Sequence, residues 1–348
     1  AWGLSLSLSL TMEPWSRAGN PSSKTDIKGY TTSLLITSVG FGASCAGLAV
    51  FLDLGVLDAV ACGVAPFGLL LWSGSRYRLI HLGKISFVCF AELIALGVLV
   101  FVLVSNMRSQ NFGEGSTAFF VTWASPSLVF AFASLRTMSS GLGGVSHWYL
   151  SLGRDIRVLL IDSVLMDVGA IGTPLALSPV MGAPGIAVYR AIANAGFPVR
   201  ILITAVRPML HRLPVARWSS SRLHLLLFFA SVFLAVVIAV SVVLAQHLLS
   251  AEVLGELTSR LWQVGIFCAG NFYSTVVYIG CRGMAPGKLL IRGRILHTGL
   301  VVILPCIGFL FYGVEGAIWG LVTSTLAICL LWGVTVVVSS RPTTRIST

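Results

Sequence analysis

Four charged side chains lie inside two consecutive apolar runs, at about residues 156–178 and 183–207, and could carry out chemistry there. They are Asp162, Asp167, Arg190 and Arg200. Charges at membrane depth are costly and usually face a bundle interior or a watery cavity. Because arginine presents a bidentate fork, the two arginines suit a phosphate-containing headgroup. The alternative is internal charge balance, in which the arginines pair with the aspartates and only hold the helices together.

Helical spacing extends the candidate headgroup site. Asn194 follows Arg190 by four residues and so shares its helical face, and Arg207 lies seven residues after Arg200 on another face. Pro198 lacks a backbone N–H and predicts a kink in the helix between Asn194 and Arg200. These residues are the candidate substrate contacts of the second run.

The remaining polar residues at membrane depth allow two interpretations each. Asp162 and Asp167 are five residues apart and point away from each other, which disfavours an acid/base pair and favours roles as charge partners. Glu92 stands alone in its apolar run; it could couple transport to protons or pair with an arginine or serine of a neighbouring helix. Asn271 lies among tyrosines and hydroxyl residues, where it could contact a sugar or form interhelical hydrogen bonds.

No catalytic or metal-binding pattern is present. The sequence has no GxSxG, HExxH, P-loop or GxGxxG motif. Its seven cysteines form no CxxC pair and are expected to be small apolar fillers. We therefore predict a protein that is not an enzyme, with no catalytic residues, no metal and no cofactor.

The composition is that of an all-α, polytopic membrane protein. Of the 348 residues, 56% are hydrophobic and only 10% are charged, against about a quarter charged in soluble domains. Apolar runs of about 20 residues, the length that crosses a bilayer, recur along the chain. Ten spans are predicted, at about 31–52, 54–72, 84–105, 117–136, 156–178, 183–207, 223–246, 257–281, 289–312 and 316–338.

The basic residues alternate between the connectors. With these spans, 19 of the 23 lysines and arginines fall on one side of the membrane. The positive-inside rule then places both termini in the cytoplasm of a multi-pass protein of the cytoplasmic membrane. No basic stripe with interleaved aromatic residues is present, so we expect membrane lipids, and no nucleic acid, as partners of this charge.

The chain is expected to form two helical lobes. Residues 1–30 are predicted to be a polar tail, 31–136 a first lobe of four spans and 156–338 a second lobe of six. Between the lobes, 137–155 is glycine-rich and predicts a linker with a short interfacial helix, and 339–348 is a cytoplasmic tail. The outward turns at 182–185 and 313–316 share a Gly-x-x-Gly pattern, typical of tight turns between antiparallel helices and of repeated hairpins.

Three stretches carry a resemblance to a known family. Residues 148–210 have a basic stretch followed by Asp162, a glycine turn, Tyr189–Ala191 and Pro208; the closing hairpin has Gly313, Gly316, Ala317, Gly320 and Ser324; and the third stretch reads LLLWSGSRYRLIHLGKISFVCFAEL. Together they resemble the flippases for polysaccharide or lipid-linked oligosaccharide in the MOP (multidrug, oligosaccharidyl-lipid, polysaccharide) exporter superfamily. That family has twelve or more helices in two lobes, so the resemblance implies that this chain lacks the first two helices.

The resemblance implies a transporter that moves a lipid-linked glycan precursor across the membrane by alternating access. Basic cavity residues would hold the lipid phosphate, and by position these are Arg190, Arg200 and then Arg207. A lipid-linked glycan is then the expected substrate, with polysaccharide-assembly enzymes as further partners. The alternatives are a multidrug or small-molecule exporter of the same superfamily, an integral-membrane glycosyl or acyl transferase, and a truncated non-functional remnant.

Overall fold

Helices make up the fold. The structure is a computed structural model that describes residues 7–17, 24–108, 116–138, 143–211, 213–249 and 252–340, and these residues contain no strand. The chain divides into two compact units, unit 1 (Ala1–Leu160) and unit 2 (Ile161–Thr348). The all-α prediction is confirmed.

Unit 1 begins with a short N-terminal segment, a π-helical turn at Leu8–Met12 followed by α1 (Glu13–Arg17). Four long helices follow, namely α2 (Lys24–Phe51), α3 (Val56–His81), α4 (Ile85–Arg108) and α5 (Ser116–Thr137). Helix α3 packs against α2, α4 and α5. Close packing is possible where side chains are small: a Cβ added at Gly68 of α3 would lie 2.1 Å from the carbonyl oxygen of Ser127 in α5.

Unit 2 takes up the chain within α6 (Val145–Ala195), which crosses the division between the units. Its described residues continue with α7 (Phe197–Leu210), α8 (Val215–Trp218), α9 (Ser221–Leu249), α10 (Glu252–Ser259), α11 (Leu261–Met284) and α12 (Gly287–Ser340). Helix α11 packs against α7, α9 and α12. Side chains that face away from these contacts on α9 are apolar and exposed, as the lipid side of a membrane helix requires.

Two long helical stretches each contain a sharp turn. Seven stretches of the described residues are long and apolar enough to cross a membrane, including Val145–Leu210 and Gly287–Ser340. The first is broken at Gly182 (φ 67°) and the second at Tyr312 and Gly313 (φ 61°), so each supplies two spans. With α5, a further apolar helix of 22 residues, the helices correspond to the ten predicted spans.

The N-terminal segment differs from the predicted polar tail. Its apolar side chains are buried against Tyr30 and Trp148, and the Trp148 indole donates a hydrogen bond of 3.2 Å to the carbonyl of Leu10. Arg17 forms a 3.1 Å ion pair with Asp155. Hydropathy along the sequence could not reveal this segment, because its apolar residues are too few to span a bilayer and part of their burial comes from Trp148, 138 positions from Leu10.

The predicted linker 137–155 also differs. Residues 139–142 lie outside the described part of the chain, Gly143 and Gly144 have positive φ, and α6 begins at Val145. Trp148 is fully buried in unit 1, whereas the sequence predicts a short interfacial helix here. Its ring lies 6.1 Å from that of Trp15. The N-terminal segment, and not the membrane surface, therefore covers Trp148.

The closing hairpin depends on its glycines. A Cβ added at Gly308 would lie 2.0 Å from the carbonyl oxygen of Gly316, and one at Gly320 would lie 2.4 Å from that of Leu304. The two arms of α12 therefore meet backbone to backbone, a contact that only small residues permit.

Candidate functional site

Two of the predicted site arginines, Arg190 and Arg200, lie in the helices that follow the turn at Gly182. Arg190 and Asn194 are in the last part of α6, Arg200 is in α7, and all three side chains are exposed. Neither arginine forms an ion pair with any residue that the structure describes. Since both positions lie within an apolar helical stretch long enough to span a membrane, these guanidinium groups require water or a ligand rather than lipid.

The helix is interrupted between the two arginines. Gly196 separates α6 from α7, and Pro198 lies at the start of α7, where its missing N–H leaves the carbonyl of Asn194 without the usual helical partner. Asn271 of α11 lies against this break, since a Cβ added at Gly196 would be 2.7 Å from its Nδ2. Thr275 donates a 3.2 Å hydrogen bond to Asn271 Oδ1, while the Nδ2 donor has no partner among the described residues.

Arg207 is placed differently from the other two arginines. It lies in the last turn of α7 and is only partly exposed. It has an interaction partner. Arg190, Asn194 and Arg200 therefore lie within six residues of the helix break at Gly196, Asn271 lies against that break, and Arg207 lies at the end of the helix.

A second set of charges is fully buried in unit 2. Asp162 of α6 accepts a 2.9 Å hydrogen bond at Oδ1 from Arg294 Nε, and its Oδ2 lies 3.1 Å from Arg282 Nε. The Tyr278 hydroxyl also donates to Asp162, and Arg282 Nη2 donates to Ser163 Oγ at 3.1 Å. The exposed fraction is 1% for each arginine and 0% for Asp162.

Aromatic rings enclose this cluster. The guanidinium carbon of Arg294 lies 4.0 Å from the centre of the Tyr278 ring and 5.4 Å from that of Trp332, distances typical of cation–π contacts. His297 Nδ1 lies 3.1 Å from Arg294 Nη1 and 2.9 Å from Trp332 Nε1. Because both neighbours are N–H donors, Nδ1 is the acceptor and the ring proton of a neutral His297 is on Nε2.

This buried charge cluster revises the predicted pairing. Asp162 is a charge partner, but of Arg282 and Arg294 instead of Arg190 or Arg200. The physical reason is helix packing: α6, α11 and α12 bring these groups together, whereas Arg190 and Arg200 point to the surface. Asp167 is partly exposed and has an interaction partner.

Glu92 pairs within unit 1. Its Oε1 lies 3.1 Å from Arg76 Nη1 of the preceding helix α3, and the carboxylate side chain is 41% exposed. Of the two alternatives given above for Glu92, this ion pair agrees with the one in which Glu92 pairs with an arginine of a neighbouring helix.

Arg282 and Arg294 are the residues that the sequence analysis missed. Both are among the 19 basic residues that the predicted spans place on one side of the membrane, yet both lie inside helices. One local signal could have found the first: Tyr278 and Arg282 are four residues apart and share a face of α11 with no acidic residue nearby in sequence. Among the described residues, no group of three or more His, Cys, Asp or Glu side chains could hold a metal ion.

Comparisons with known proteins identify the fold. No protein-family model and no curated protein matches the chain. A solved structure, the outward-facing conformation of a multidrug resistance MATE family transporter of the MOP superfamily, matches with a TM-score of 0.68 and 13% sequence identity. The match covers 98% of this chain and 84% of that protein. The chain therefore shares the fold of that solved structure.

Proposed function

We propose that this protein is a membrane transporter that moves a lipid-linked oligosaccharide or polysaccharide precursor across the cytoplasmic membrane. The observation that carries the proposal is the pair of exposed arginines, Arg190 and Arg200, which have no ion-pair partner among the described residues. Two such charges inside an apolar helical stretch favour a water-filled site for an anionic group, and a phosphate ester matches the guanidinium fork.

The helix break supports the same cargo. At Gly196 and Pro198 the backbone leaves a carbonyl without a helical partner, and Asn271 adds an amide donor that is unused among the described residues. Transporters commonly place substrate at such discontinuous helices. In this proposal the arginines hold the lipid phosphate, while Asn194 and Asn271 contact the attached sugar.

Reconstituted vesicles can test the proposal. The purified chain would be reconstituted into vesicles with a fluorescent polyprenyl-phosphate-linked saccharide. Translocation would be measured as the rate at which a membrane-impermeant quencher added outside the vesicles gains access to the fluorophore. We expect Arg190→Gln and Arg200→Gln to lower the rate at least about tenfold each, the effect of losing one charged hydrogen bond of about 1.5–3 kcal/mol. Arg136→Gln, an exposed arginine of unit 1, is the matched control and should leave the rate unchanged. Full activity in both α6–α7 variants would refute headgroup binding.

A multidrug exporter is the second candidate, because the matched solved structure is described as a multidrug resistance transporter. Such a protein would move lipophilic cations, for which exposed unpaired arginines are unfavourable. Efflux of a cationic dye, with no translocation of the glycolipid, would select this candidate over the first.

The membrane orientation is part of the proposal. Both termini are placed in the cytoplasm by the charge distribution, so the exposed Ser219 should face the cytoplasm and the exposed Ser259 the outside. In a cysteine-free background, a membrane-impermeant maleimide should label Ser259→Cys in intact cells and Ser219→Cys only in broken cells. The opposite labelling pattern would contradict the proposed orientation and place both termini outside the cytoplasm.

A further inference from the structure

One end of unit 2 carries a short helix, α8, that holds a buried tryptophan. Helix α8 contacts α9, α11 and α12, and its Trp218 is only 2% exposed. A Cβ added at Gly280 of α11 would lie 2.7 Å from the Trp218 ring, so the indole fills the space above that glycine. His224 joins the assembly, with Nε2 2.9 Å from the Trp218 carbonyl and Nδ1 2.8 Å from the Tyr273 hydroxyl.

The surface at this end is basic. Arg217 and Arg222 flank the buried Trp218, and Lys288 and Arg292 are four residues apart on α12, which α8 contacts. All four side chains are exposed, and none forms an ion pair with any residue in the described part of the chain. The sequence between 208 and 224 and between 282 and 297 contains no Asp or Glu. We call these four residues the basic platform.

Exposed apolar residues continue directly from the platform. Leu225 and Leu226 follow Arg222 on α9, and Ile295 and Leu296 follow Arg292 on α12. Each helix therefore has basic side chains near its first residue and exposed apolar side chains about one turn further along. A phospholipid has the same order of groups, with phosphate at the surface and acyl chains below it.

The other charges of unit 2 provide a contrast. Arg260, which precedes α11, is paired with Glu256 and lies 3.2 Å from Glu315. Gln263 donates a 2.6 Å hydrogen bond to Glu315. That arginine is neutralised by protein. The platform residues form no such pair with an acidic residue that the structure describes, so an external anion is the available counter-charge.

We propose that the basic platform binds the headgroup of an anionic phospholipid, with the adjacent exposed leucines and isoleucine against its acyl chains. The rigid support by Trp218 and His224 holds Arg217 and Arg222 in place before the lipid arrives, which lowers the ordering cost of binding. The site lies on α8, α9 and α12, away from Arg190 and Arg200 in sequence, and does not depend on the identity of the cargo.

The test is a lipid-binding titration on the purified full chain in zwitterionic detergent, with short-chain phosphatidylglycerol and with phosphatidylcholine as the uncharged comparison. We expect selective binding of phosphatidylglycerol that weakens as salt is raised. The double variant Arg217→Gln/Arg222→Gln should bind phosphatidylglycerol about 30-fold more weakly, from the ordinary contribution of two basic residues at an anionic surface. Lysine at both positions should restore most of the affinity.

A matched control separates the platform from general charge. Arg136→Gln/Arg154→Gln removes two exposed charges from unit 1 and should leave the affinity unchanged. An equal loss in this control, equal affinity for phosphatidylcholine, or full affinity in the platform variant would each overturn the proposal. Lys288→Gln/Arg292→Gln tests the other half of the platform independently, and gel filtration of each variant checks that it folds.

Discussion

Unit 2 places arginines in its helices in two opposite ways. Arg282 and Arg294 are enclosed, each beside Asp162, with aromatic rings around Arg294. Arg190 and Arg200 reach the surface within an apolar stretch and have no described ion-pair partner. An enclosed arginine with a carboxylate partner contributes to the fold, and removal of either partner leaves a buried charge. An exposed arginine at membrane depth contributes little to the fold and is available to a ligand.

The difference comes from the helices around each pair. Three helices, α6, α11 and α12, supply the buried charge cluster, so every face of Asp162 meets protein. Arg190 and Arg200 lie on either side of the break at Gly196, and both side chains are exposed. The comparison therefore makes stability the expected readout for the first pair and transport the expected readout for the second.

The largest effect on stability is expected for Asp162→Ala. It leaves two buried guanidinium groups without their carboxylate, and breaking a buried pair in this way typically destabilises by about 3–5 kcal/mol. Thermal unfolding in detergent should show a strongly lowered midpoint. A midpoint within 1–2 °C of the parent, which is roughly the effect of less than 1 kcal/mol, would show that the cluster does not stabilise unit 2.

Arg294→Lys should have the next largest effect. The charge is kept, but one ammonium cannot donate to both Asp162 and His297 from the positions of Nε and Nη1. Losing a charged hydrogen bond in a buried site removes about 1.5–3 kcal/mol. The same thermal measurement on Arg190→Lys provides the control, since Arg190 has no described partner to lose, and the two substitutions should differ clearly.

Glu92→Gln should have a small effect. Its pair with Arg76 is partly exposed, and such pairs contribute about 0–1 kcal/mol. The unfolding midpoint should fall slightly, and any dependence of transport on a proton gradient should be the same as in the parent. Loss of that dependence would assign Glu92 to proton coupling and overturn its role as a simple charge partner.

The smallest effect on stability is expected for Arg190→Gln and Arg200→Gln. Exposed positions away from specific contacts usually change stability by no more than about 0.5 kcal/mol. The unfolding midpoints should match the parent even where transport is reduced. A large loss of stability in either variant would place that arginine with the enclosed pair and remove the contrast drawn above.

The fold could be predicted from the sequence to a large extent, because span length and turn chemistry are local. Apolar runs of about 20 residues predict membrane helices, and the glycines at 182 and 313 predict the turns that the structure shows. The buried segment 8–17 could not be predicted in this way. Its burial depends on Tyr30 and also on Trp148 and Asp155, whose hydrogen bonds to the segment each join residues 138 positions apart.

The candidate site was only partly accessible from the sequence. The spacing of Arg190, Asn194 and Arg200 and the proline between them are readable in one helix. The partner of Asp162 is not, since Arg282 and Arg294 are more than 100 residues away and carry the same basic pattern as the connectors that set topology.

The sequence by itself determined that this protein is a bundle of membrane helices with turns at defined glycines, because hydrophobic length and backbone freedom are properties of neighbouring residues. Only the tertiary structure decided which arginines are enclosed and which are exposed. A guanidinium at membrane depth can meet a carboxylate, an aromatic face or water, and the packing of distant helices selects among them. That choice separates Arg282 and Arg294, which we expect to stabilise unit 2, from Arg190 and Arg200, which we propose as contacts for the cargo.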